Sequence, residues 1–148
     1  MSKTFHRRLM LQSGLALGAL IWLPRARSCE IMTSTLRVTH PWSRATAPGD
    51  DTAVLCMKFD EVTESDRLVR VHTPVASDAE MGGKDAKPGV DFAIPAGQET
   101  YLDDTGTYVR LLGLKFPLLP GRSYPLMLGF EKGGDTIATL SVDYPRFK

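Results

Sequence analysis

Ala53-Val54-Leu55-Cys56-Met57-Lys58-Phe59 places large apolar side chains at Leu55, Met57 and Phe59 and sets Cys56 and Lys58 between them. A period of two fits a β-strand with one buried face, whereas a buried helical face recurs at three- to four-residue spacing. Ile137, Ala138, Leu140 and Val142 read as a similar half-buried strand. Working outward from these two, the expected strands are 35–39, 53–59, 68–72, 90–94, 99–102, 108–114, 124–130 and 136–143. Between them fall turn signals: Ala47-Pro48-Gly49-Asp50-Asp51, Pro95-Ala96-Gly97, Pro120-Gly121 and Gly133-Gly134. No long helical pattern interrupts the series, so the fold class expected is all-β, a Greek-key β-sandwich in the cupredoxin or immunoglobulin style.

The chain has 148 residues, of which 43% are hydrophobic and 24% charged, values of an ordinary globular domain. Its formal charge of +1 hides an asymmetry. Lys3, Arg7, Arg8, Arg25 and Arg27 all precede the first acidic residue, Glu30, and without these five the Lys and Arg count falls from 18 to 13 against 17 acidic residues, or −4. A mildly acidic domain lacks the electrostatic footprint of a nucleic-acid or anionic-membrane binder.

Residues 1–28 have the form of an export signal: basic Arg7-Arg8, an apolar run from Leu9 to Leu23, and Ala26-Arg27-Ser28 before Cys29. The apolar run is short for a membrane span. His6-Arg7-Arg8-Leu9-Met10-Leu11 looks like a twin-arginine signal, with an ordinary secretory signal as the other reading. Both place the domain, 29–148, outside the cytoplasm, in the periplasm.

Two cysteines are present, Cys29 and Cys56. A cysteine at the first mature position invites lipid anchoring, yet Ala26-Arg27-Ser28 lacks the aliphatic residue of a lipobox. A Cys29–Cys56 disulfide is chemically permitted in an oxidising compartment, and sequence does not show whether the two sulfurs meet. Cys56 reads as a small buried hydrophobe.

Val38-Thr39-His40-Pro41-Trp42-Ser43-Arg44-Ala45-Thr46, Asp66-Arg67-Leu68-Val69, Thr73-Pro74-Val75-Ala76, Ile94-Pro95-Ala96-Gly97, Gly113-Leu114-Lys115-Phe116-Pro117-Leu118 and Gly121-Arg122-Ser123-Tyr124-Pro125-Leu126 follow one another across nearly the whole expected domain. In this order and spacing they resemble the periplasmic copper chaperones of the PCu(A)C type. The resemblance implies a cupredoxin-like sandwich that binds Cu(I) near one end and hands it to the copper site of a respiratory oxidase.

Soft Cu(I) favours thioether and imidazole donors, and the resemblance implies a site built from a His, a Met and a closing His-x-Met. Carried onto this chain, those places hold other residues. Tyr108 and Arg110 stand where His-x-Met is expected, Gly82 stands at the first His, and the hairpin Lys84-Asp85-Ala86-Lys87-Pro88-Gly89 has no Met. A protonated phenol and a permanently charged guanidinium do not replace soft donors.

Of the remaining donors, Met81 and His72 are the candidate pair for a rebuilt copper site, against the plainer reading of a loop hydrophobe and a strand-surface residue. His40 reads as structural, with Trp42 packing at a sandwich edge. Asp103 and Asp104 read as turn residues. Arg110 and Tyr108 could face the vacated pocket and bind an anion or a partner. No catalytic set, phosphate loop or blue-copper Cys-His-Met sequence is present, so a non-enzyme is expected. Two functions remain: a copper-chaperone-like protein whose own site is lost or rebuilt, or a metal-free binding or assembly module for another exported protein.

Overall fold

The computed structural model describes residues 30–143, so the export signal, Cys29 and the question of its pairing or lipidation lie outside the described residues. Ten strands and no helix make up that part: β1 Glu30–Met32, β2 Arg37–Arg44, β3 Thr52–Asp60, β4 Asp66–His72, β5 Ala76–Gly83, β6 Phe92–Ile94, β7 Thr100–Leu102, β8 Thr107–Leu114, β9 Ser123–Phe130 and β10 Gly134–Asp143. The all-β expectation is met. All eight expected strands are present within a few residues of their read limits.

One sheet runs in the order β5-β8-β3-β2-β10-β9-β4-β6, with β1 added on β2 and β7 on β3. Its two halves meet at a parallel pairing of β2 with β10, Trp42 opposite Ser141 and Arg44 opposite Asp143. The sheet curls so that the halves face each other. Phe59 of β3 and Phe130 of β9, strands that are not neighbours in the sheet, meet edge to face with ring centres 6.0 Å apart. Between the halves Leu55, Phe59, Leu68, Val109, Leu128 and Leu140 are fully buried in a single core. Fully burying one such side chain contributes roughly 1.5–3 kcal/mol, which is why the period-two pattern dictates the fold.

Besides β1, a short strand that the sequence did not suggest, two strands depart from the sequence reading. The strand read as 35–39 instead runs from Arg37 to Arg44, because the ladder shifts register between Thr39 and Trp42. His40 takes φ 50° in that bulge, and the extra residue lets a proline that cannot donate sit in a mid-sheet strand. Trp42, expected to pack at a sandwich edge, therefore lies mid-sheet between β3 and β10. The other departure is β5, Ala-Ser-Asp-Ala-Glu-Met-Gly-Gly, which has almost no intrinsic strand preference and is held by pairing with β8.

Beneath the opposite end, the Asp66 carboxylate is buried and accepts hydrogen bonds from the Thr35 hydroxyl at 2.7 Å and from the N–H groups of Lys132 at 2.8 Å and Gly133 at 2.9 Å. Burial alone would raise its pKa. Those donors outweigh burial and hold the carboxyl below its ordinary value. Asp60, also buried, receives a two-pronged bond from Arg37 at 2.7 and 2.8 Å, which lowers its pKa as well.

Candidate functional site

β5 and β8 pair antiparallel, with Glu80 opposite Arg110, Met81 opposite Val109 and Gly82 opposite Tyr108. Directly opposed residues in such a ladder share a face. Met81 and Val109 are buried and point into the core, so Glu80, Arg110 and Tyr108 stand on the outer face.

There they form a closed set. Arg110 Nη1 donates to Glu80 Oε1 at 3.2 Å, Arg110 Nη2 donates to the Tyr108 hydroxyl at 3.1 Å, and the guanidinium carbon lies 5.7 Å from the centre of the Tyr108 ring. The bonds to Tyr108 and to Glu80 hold the guanidinium still more firmly protonated than usual. Gly82 makes room for this arrangement, since a Cβ there would lie 2.4 Å from Tyr108 Cε2. Gly83 follows at φ 80°, and a Cβ on it would meet the Gly106 carbonyl oxygen at 1.9 Å. The two glycines let β5 pass beneath the ring and against the 103–106 turn.

The donors at this corner do not fit Cu(I). A guanidinium offers no lone pair, and its fixed charge opposes a cation at short range. Arg110 is also not the unpaired cation that the anion-binding expectation requires, because Glu80 neutralises it and Tyr108 fills the space beside it.

Met81 and His72 are not brought together. Met81 is 1% exposed, and its N–H bonds to the carbonyls of Lys87 and Gly89, which lie over the outer edge of β5. Between Met81 and the turn after His72 lie five residues of extended strand, roughly 16 Å. His72 is exposed and pairs in register with Met127 of β9, which in turn pairs with Ile137 of β10. Met127 was not singled out from the sequence. Its outward position is legible from buried Leu126 and Leu128 on either side, but its register against His72 is not.

Elsewhere, Cys56 is buried and unpaired among the described residues, lying beneath the backbone of Asp104, which Arg44 covers with an ion pair. Burial first, then the charges of Asp104 and Asp103, push its thiol up to about 12, so it stays protonated at neutral pH. His40 Nε2 lies 3.3 Å from Asp143 Oδ2. Asp103 does close a turn, with its carbonyl accepting from Gly106 N–H at 3.0 Å. Among the described residues no three His, Cys, Asp or Glu side chains are grouped to hold a metal. No helix there is long and apolar enough to cross a membrane.

The family described as "Putative lipoprotein LpqE-like" matches residues 36–142. No curated protein sequence matches the chain. Among solved structures, the apo PCuAC domain from PmoF1 is similar with a TM-score of 0.72 and 29% identity, over 78% of this chain and 99% of that one. The copper-bound PCuAC domain from PmoF2 superposes with a TM-score of 0.70 at 22% identity, over 78% and 98% of the two chains. The Cu(I) form of DR1885 from Deinococcus radiodurans follows, with a TM-score of 0.61 at 22% identity, over 77% and 80%. The last two bear on the fold, and the first extends the PCuAC resemblance read from separate segments to the folded domain.

Proposed function

Because the chain belongs to the LpqE-like family and has a PCuAC-type fold, we propose that it is an exported, periplasmic copper-handling protein of the chaperone kind. In this reading residues 1–28 are the export signal and residues 29–148 the working domain, which binds cargo and partners and catalyses no reaction. Cu(I) is cargo, received and passed toward another exported protein or a respiratory oxidase subunit. The observation that carries the reading is the likeness to the PmoF1 PCuAC domain along almost that domain's whole length.

In this reading the outer corner of β5 and β8 carries Gly82, Tyr108 and Arg110 where the resemblance expects soft donors, so cargo does not bind there and any copper is held by other residues. That same closed corner favours a second reading, a metal-free module that keeps the fold to bind an exported partner. Titration of the purified protein with Cu(I) against a competing chelator separates the two. One-to-one binding that survives the chelator supports copper handling, and absence of binding leaves the module.

A further inference from the structure

Resting on the copper-handling reading, we infer that His72 and Met127 form a Cu(I) site on the outer face of β4 and β9. The two residues are directly opposed in the antiparallel ladder, a relation that sets their Cβ atoms roughly 4.5–5.5 Å apart on one face. That face is the solvent face. His72 is exposed, and Met127 is half-buried between Leu126 and Leu128, both of which point into the core. An imidazole and a thioether so placed can converge on one ion without moving the backbone, and they are the donors that soft monovalent copper selects.

Three neighbouring features suit the site. The end of β4 is fixed against β9 because the buried Thr73 hydroxyl donates to the Pro125 carbonyl at 2.7 Å, one residue beyond His72. In the adjoining row Arg70 is neutralised by Asp135, so a cation meets no unmatched positive charge. On the other side of Met127, Ile137 is 72% exposed and gives the face an apolar margin.

Of the other soft donors, Met32 is exposed but stands opposite Arg37 in the β1–β2 ladder, with no imidazole facing it, and the rest are committed elsewhere. Met57 and Met81 are buried, Cys56 is buried and protonated, and His40 is bonded to Asp143. Among the described residues, the strand registers oppose an imidazole to a thioether at this one position. Two protein donors leave coordination positions open, and a receiving protein can fill these to take the ion away, the behaviour a delivery protein needs.

The test uses the whole purified protein, titrated with Cu(I) against a chromophoric chelator, alongside His72→Ala, Met127→Ala and, as a control away from the site, Arg110→Ala. Each of the first two lowers Cu(I) affinity by about tenfold or more, and the control leaves it unchanged. Redox-inert Ag(I) shifts the Met127 methyl and His72 ring resonances together in the unsubstituted protein. Because both side chains lie on the surface, thermal melting of the variants confirms that the fold is retained. If copper is retained equally by all the variants, the ion sits elsewhere: this site is overturned while copper handling stands. If the unsubstituted protein fails to hold Cu(I) against the chelator, copper handling itself falls, and the site with it.

Discussion

Gly82 and Tyr108 face each other across the β5–β8 ladder so closely that a Cβ on residue 82 would stand 2.4 Å from the ring carbon Cε2. The glycine is therefore a steric requirement of the tyrosine. Gly82→Ala forces the ring off its bond with Arg110 and costs about 1–3 kcal/mol of stability, as overpacking does elsewhere. In a Tyr108→Ala background the same substitution costs close to nothing. Urea unfolding of the four proteins of the cycle measures the coupling, and additive losses would show that the ring moves aside freely.

Replacing the residues that close the corner should open it to soft metal. Tyr108→His with Arg110→Met puts an imidazole and a thioether two residues apart on the outer face of β8, relieves the crowding over Gly82 and removes the fixed charge. We expect Cu(I) affinity to rise by about tenfold or more over the parent protein in the same chelator competition, with a second ion bound if the His72 site is filled. No gain would mean that β5 must also contribute a donor.

Acid sensitivity should centre on the buried carboxylates. Asp66 and Asp60 ionise at lower pH in the folded protein than in the unfolded chain. Their contribution is complete above the unfolded carboxylate range and is lost as pH falls through the folded values, below about pH 4. Asp66→Asn lowers stability at neutral pH by about 1–3 kcal/mol, because four donors, the Thr35 hydroxyl and the N–H groups of Arg67, Lys132 and Gly133, lose an ionised acceptor, and the gap to the parent narrows on acidification. Denaturant midpoints across pH read both effects.

Cys56 should resist thiol reagents until the domain unfolds. Its buried thiol, with a pKa pushed up to about 12, presents almost no thiolate at neutral pH. Peptide-resolved alkylation across a urea series should follow the global unfolding curve. Labelling well before that transition would reveal a local opening around the 103–106 turn.

Alternation at Leu55, Met57 and Phe59, and again at Ala138, Leu140 and Val142, was enough to place these strands, because burial of one face leaves a period that residue types record directly. The reading of β2 stopped short at residue 39, since a bulge depends on how two strands are offset, which residue types do not record. β5 was invisible for a related reason: alanine, aspartate and glycine carry no strand signal, and β8 supplies the ordering. Gly82, Tyr108 and Arg110 were singled out through the PCuAC resemblance, but Glu80 and the bonds among them were not. His72 was legible as a donor without its neighbour, because Met127 reaches it only through the register of β4 on β9.

The parallel union of β2 with β10 joins Trp42 to Ser141, residues separated by almost the full described chain. The core cannot close until β10 reaches β2, and contacts of such long range form slowly. The seam is thus a late closure: the two halves of the core meet only once segments from both ends of the described chain have been brought together.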